Sequence, residues 1–235
     1  MKEKILLIDN LLRKTFGIPA RNKKIPEPVN LLIATVLSQN TNDRNSFKAY
    51  NNLKEKYYSW EKVAGLKVSQ IEKLIRVAGL GKQKSNAIKN FLTSLKKEKG
   101  KISLNHLKKM KNEDVLRDLI KYPGIGIKTA SCVLLFSFMR NICPVDTHVH
   151  RTLNRIGLVK TNSPDKTFFA LNKYFPEDIA HSFHTNLIRL GREICKPSRP
   201  DCRQCPLREV CMYENKFEEK INMYKENSFL LLDNV

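Results

Sequence analysis

The sequence predicts an all-α protein. Apolar residues recur at helical spacing along nearly the whole chain, and no segment alternates apolar and polar residues as a half-buried strand would. Proline and glycine mark the starts and ends of the periodic segments.

Taken in order, Pro28 opens a helix whose stretch 31–37 is apolar enough to be buried, and Phe47, Tyr50, Leu53 and Tyr57 stripe the next. Ser69-Gln70-Ile71-Glu72 has the form of a capping box, which starts a helix that stops near Gly79. Ala87, Ile88, Phe91, Leu92 and Leu95 form one helical face closed by Gly100, and the lysine-rich 96–101 reads as an exposed helix end and loop. Val115, Leu116, Leu119 and Ile120 mark a further helix. Beyond Pro144, helices are expected over 147–156, 164–174 and 178–191.

The chain has 235 residues, with 43 basic against 23 acidic side chains, a net charge of +20 and a pI near 9.8. That excess is spread along the chain and calls for a polyanionic partner, nucleic acid before an acidic membrane surface. The first residues, MKEKILLIDNLLRK, carry a short apolar run that Asp9 and Asn10 interrupt. This is no secretory h-region, and Glu3 and Asp9 do not suit a transit peptide. No stretch approaches the ~18 apolar residues of a membrane span. The chain is therefore expected to be cytoplasmic and free of membranes, and it is expected to be monomeric.

Two segments carry chemistry. In YPGIGIKTASCVLLFSF, residues 122–138, a Pro123-Gly124-Ile125-Gly126 turn leads into a helix apolar on all sides, yet the helix begins with Lys128. A lysine there suits a plain helix end whose charge reaches solvent, and the glycines suit an ordinary helical corner. The same glycines also permit a tight turn and close backbone approach, beside helix-start amides that bind phosphate without side chains. The second segment is Cys195-x6-Cys202-x2-Cys205-x5-Cys211. Four thiols within seventeen residues imply a metal centre in a reducing compartment. Structural zinc usually joins two close cysteine pairs, whereas an iron–sulfur cubane takes one thiolate per iron and suits irregular spacing. Cys132 and Cys143 read as buried thiols. Lys196, Arg199, Arg203 and Arg208 make the loop basic, as a solvated surface or a phosphate grip.

These motifs together resemble the endonuclease III-type DNA glycosylases of the helix-hairpin-helix superfamily. The match lies in Leu119-x-x-Tyr122-Pro123-Gly124-Ile125-Gly126-x-Lys128-Thr129-Ala130, in Val145-Asp146-Thr147-His148-Val149-x-Arg151, in Leu37-Ser38-Gln39-Asn40-Thr41-Asn42-Asp43, and in Gly79-Leu80 through Ile88. The resemblance spans roughly residues 20 to 215. It implies a six-helix barrel over 29–140 carrying the hairpin, a second helical domain from 1–28 and 141–220 with a [4Fe–4S] loop on the four cysteines, and a tail over 221–235. The active site is expected between the domains.

The resemblance also implies the activity: base-excision repair of oxidised pyrimidines in duplex DNA, with abasic-site lyase activity. Lys128 would be the amine that attacks the sugar and forms a Schiff base. A nucleophilic amine must be uncharged, and both apolar burial and the positive end of the helix dipole penalise an ammonium. Asp146, by itself a favoured N-cap, would be the carboxylate that stabilises charge on the sugar and moves the proton. Gln39 and Asn40, otherwise helix-end capping groups, would flank the gap left by the extruded base. Asn40 stands where the family often has glutamine, which bears on substrate preference rather than on the reaction. Gly124, Gly126, Lys196, Arg199 and Arg203 would contact DNA. His148 reads as scaffolding and His150 as exposed. A mismatch-specific thymine or adenine glycosylase, or a non-catalytic iron–sulfur DNA-binding protein, are the other readings. The joint presence of Lys128 and Asp146 disfavours both.

Overall fold

The structure, a computed structural model, describes residues 1–217, and no strand occurs among the described residues. The described residues divide into two units, one of Met1–Arg21 with 140–217, the other of Asn22–Met139. The residues just ahead of the second helix belong with the unit it begins, so that boundary falls after Arg21 rather than after residue 28. The expected tail, 221–235, lies outside the described residues.

Helix α1 (Lys2–Phe16) is concealed in the sequence by Asp9, which sits on the same buried face as Ile5, Ile8 and Leu12. Asp9 is accommodated there by Arg13, whose Nε lies 2.7 Å from one carboxylate oxygen, and by Ser182, whose hydroxyl donates to the other at 3.0 Å. Burial raises its pKa, while Arg13 and Ser182 pull the other way.

The Asn22–Met139 unit comes next along the chain. Helix α2 (Pro28–Leu37) has proline in its first turn, and the Glu27 carboxylate accepts the Asn30 N–H at 2.9 Å. Nearly every residue of α2 is buried, and α3 (Asp43–Lys56) and the later helices Gly81–Lys99 and Ile127–Cys132 all pack on it. Helix α4 (Trp60–Gly65) is short. Its Trp60 indole N–H donates to Asn30 Oδ1 at 2.7 Å, tying it to α2. Helix α5 (Val68–Ile75) begins one residue before Ser69. Its start is secured by Gln70 Oε1, which accepts the Lys67 N–H at 2.8 Å, so the expected Ser69–Glu72 box does not form. A 3-10 turn, Arg76–Ala78, carries the chain to Gly79.

Helix α6 (Gly81–Lys99) is closed by Gly100 at φ 72°. Helices α7 (Asn112–Ile120) and α8 (Ile127–Cys132) form the hairpin, and α8 widens into a π-helical turn over Val133–Ser137. In the other unit, α9 (Thr147–Ile156), α10 (Pro164–Asn172) and α11 (Ala180–Glu193) complete the helices, with α1 and α9 both packed on α11. Gly191 makes the last contact possible, since a Cβ there would stand 2.8 Å from the Cβ of His148. No helix among the described residues is long and apolar enough to cross a membrane.

Candidate active site

The hairpin turn is built by unequal glycines. Gly124 has φ +87°, and a Cβ on it would stand 2.5 Å from the Ala87 Cβ of α6. Gly126 has ordinary extended backbone at φ −97°, with open space where a Cβ would be. The tight turn and close backbone approach expected of the two glycines therefore require glycine only at position 124. Buried Tyr122 and Ile125 anchor the turn, with the Ile125 N–H on the Tyr122 carbonyl at 3.0 Å and Tyr122 edge-on to Phe91. The Tyr122 hydroxyl donates to Glu98 at 3.1 Å, and Lys121 bridges Glu98 and Asp118 at 2.8 Å each.

Helix α8 makes its first internal bond from the Ala130 N–H to the Gly126 carbonyl. The amides of residues 127 to 129 therefore belong to a first turn that offers them no partner within the helix. Lys128 lies in that turn and is half-buried. Among the described residues its amine makes no hydrogen bond or ion pair. Gln39 is brought to the same turn, its side-chain amide donating to the Gly124 carbonyl at 3.3 Å. Asn40 is exposed and held at φ 49°.

Asp146 caps α9, with Oδ1 accepting the Val149 N–H at 2.8 Å. His148 lies two residues on, half-buried, with Nδ1 3.3 Å from Arg151. Burial lowers its pKa, Asp146 opposes that and Arg151 adds to it. His150 is half-buried rather than exposed. Its Nδ1 sits 2.7 Å from the Thr167 hydroxyl and 3.2 Å from Asn154 Nδ2.

Cys195, Cys202, Cys205 and Cys211 line one small cavity with Leu190, Ile194 and Leu207. Among the described residues, no three His, Cys, Asp or Glu side chains converge as a single metal ion requires. Burial, with the neighbouring thiols adding to it, pushes Cys205 up to about 12. Four thiolates gathered in such a place call for compensating positive charge. Cys132 and Cys143 are buried elsewhere. Lys196 is half-buried on the loop, and Arg199 and Arg203 are exposed.

Two residues shape this region in ways the sequence reading did not see: Arg151, named there only as part of a motif, and Arg155, not named at all. Arg151 Nη2 donates to the carbonyls of Gly191 at 2.8 Å and Cys195 at 2.9 Å. Arg155, one turn on, donates to the carbonyls of Lys196 at 2.6 Å and Pro197 at 2.7 Å, and stacks on Tyr213 at 4.5 Å. The signal was their four-residue spacing on the helix that Asp146 starts, which puts both on one face.

The chain is similar in sequence and in fold to known proteins. Endonuclease III of Thermotoga maritima is 38% identical over 208 residues, covering 88% of this chain and 93% of that protein. A non-covalent endonuclease III–DNA complex superposes with TM-score 0.76 at 28% identity, over 90% of this chain and 95% of that one. A trapped covalent endonuclease III–DNA intermediate gives 0.77 at 28% identity, over 90% and 96%. A family model described as HhH-GPD superfamily base excision DNA repair protein matches residues 33–177, which span the hairpin, Lys128 and Asp146. The chain belongs to the HhH-GPD superfamily of base excision DNA repair proteins.

Proposed function

We propose that this chain excises oxidised pyrimidines from duplex DNA and then cuts the strand, with Lys128 as nucleophile. The observation that carries the reading is the half-buried amine of Lys128, without a hydrogen bond or ion pair among the described residues, in the first turn of α8 directly after the Gly124 turn. A base inside the stack is out of reach, so the nucleotide must first be extruded. The neutral amine attacks the sugar C1′, and the bond to the base breaks with its electron pair leaving on the base, which takes up a proton. The bound nitrogen loses a proton and its electron pair breaks the C1′–O4′ bond, so that O4′ is protonated, the sugar ring opens to a Schiff base, and the C2′ proton becomes acidic. Its removal expels the 3′ phosphate, and the strand is cut.

Asp146 supplies a carboxylate against the positive charge that develops on the sugar and carries the proton between lysine and leaving group. Its cap bond to the Val149 N–H fixes its orientation. Gln39 and Asn40 flank the gap left by the extruded base. Amides at the Gly124–Gly126 turn, with Lys196, Arg199 and Arg203, take phosphate, and the net charge of +20 supports that partner.

The four cysteines suit a [4Fe–4S] cluster better than a single ion, given one shared cavity and irregular spacing. When bound, such a cluster supplies a cross-link that stiffens the basic loop. Cutting of an abasic duplex, with a panel of oxidised-pyrimidine and mismatched duplexes beside it, tests the reading. Cutting of abasic and oxidised-pyrimidine strands is expected. Excision confined to mismatched thymine or adenine without strand cleavage would replace it.

A further inference from the structure

Lys84 is 1% exposed, and among the described residues no carboxylate pairs with it. Its Nζ donates to the carbonyl of Leu37 at 2.8 Å and to that of Ala78 at 2.8 Å. Leu37 is the last residue of α2, and Ala78 ends the 3-10 turn before Gly79. Carbonyls at such ends lack partners in their own helix and favour a cation. A buried amine satisfying both is a costly arrangement, and desolvation lowers its pKa to about 8.

Both tethered carbonyls lie close to unusual backbone. Three residues beyond Leu37 stands Asn40 at φ 49°, and two beyond Ala78 stands Leu80 at φ 48° and 49% exposed. They are two of the three described non-glycine residues with positive φ in this unit. A branched side chain such as leucine holds that conformation only where its surroundings impose it, and such residues cluster at functional sites. Lys84 is thus a single buried tether between two segments, each ending in an exposed, left-handed residue. Gln39, between Leu37 and Asn40, is also bonded to the hairpin.

We propose that Lys84 is a positioning residue that fixes the Ser38–Asn40 segment and the Gly79–Leu80 segment relative to each other, so that both meet the extruded nucleotide's strand in register. This rests on the reading of Gln39 and Asn40 as flanking the base gap. Lys84 itself touches no substrate. Full burial keeps it from competing with Lys128 as a nucleophile.

The test is Lys84→Met, which fills a similar volume without donors, with Lys84→Gln as the second variant should the first fail to fold. Amide hydrogen exchange is read at Ser38, Gln39 and Gly79, whose N–H groups are bonded to Ala34, Val36 and Arg76 carbonyls. Exchange there should rise at least tenfold in both segments together, while the α6 core at Phe91 and Leu92 keeps its protection. Single-turnover base excision should fall at least tenfold, cutting of a preformed abasic site much less, and binding to undamaged duplex by no more than about twofold. Unchanged exchange in the two segments overturns the proposal whatever happens to activity. Loosened segments with wild-type excision also overturn it, and in that case the fault lies with the base-gap reading of Gln39 and Asn40.

Discussion

Replacing Gly124 by alanine should damage the hairpin, whereas the same change at Gly126 should not. At Gly124 the backbone sits at φ +87°, and an L-residue held in left-handed backbone costs about 1–2 kcal/mol. The new Cβ would also stand 2.5 Å from the Ala87 Cβ, packed against a helix that cannot move freely, and overpacking of that kind costs about 1–3 kcal/mol. Together these give a loss of about 2–5 kcal/mol. At Gly126, with φ −97° and open space, alanine meets neither a clash nor left-handed backbone, and its poorer fit as the N-cap of α8 offsets the gain from restricting the unfolded chain, so stability should hold within about 1 kcal/mol. Urea denaturation of both variants measures the difference, and duplex binding should weaken for Gly124→Ala only. Ala87→Gly added to Gly124→Ala should return the overlap part of the loss but not the backbone part, and the double-mutant cycle isolates it. Equal effects at the two glycines, or no coupling between positions 87 and 124, would refute this account of the turn.

Asp146→Asn keeps an acceptor for the Val149 N–H, so stability should hold within about 0.5 kcal/mol. Base excision should slow by at least about a hundredfold, by analogy with the ~3 kcal/mol lost with an oxyanion-hole donor, and cutting of a preformed abasic site should slow less. Arg155→Met removes the donors to the Lys196 and Pro197 carbonyls, so the purified protein should lose iron and visible absorbance faster under mild denaturant than wild type. Lys84 titrates at about 8 in the fold against 10.5 in the free side chain. The unfolded chain therefore holds the extra proton between those values, and wild type should gain stability relative to Lys84→Met as pH rises from 8 to 10.5. A stability difference independent of pH across that window would remove the buried ammonium from the account.

The parts of the fold that were legible are those where apolar spacing and backbone chemistry agree. Helix α9 runs over the expected residues because a capping aspartate, an apolar stripe and Gly157 all mark it. Helix α1 was hidden because a buried carboxylate breaks the stripe, and the groups that satisfy it, Arg13 and Ser182, include one 173 residues away. The Ser69 box failed because Gln70 one residue on performs the same service from a different frame. Lys84 shares a helical face with Ile88, Phe91 and Leu95, so a lysine on an apolar stripe was visible, but its two carbonyl partners come from segments that only the fold brings together. The cysteines were legible from spacing. Their apolar neighbours and the arginine clamp from α9 were not, because they depend on how α9 and α11 pack.

The central claim is that the amine of Lys128 carries the chemistry, and borohydride reduction during turnover tests it most directly. On an oxidised-pyrimidine or abasic duplex, reduction should trap one covalent protein–DNA adduct, and peptide mapping should place the added mass on Lys128. Lys128→Gln should bind duplex normally, yet give neither adduct nor cut strand. An adduct mapped to another lysine, or one that persists in Lys128→Gln, would contradict the account and leave Lys128 as an ordinary residue at a helix start.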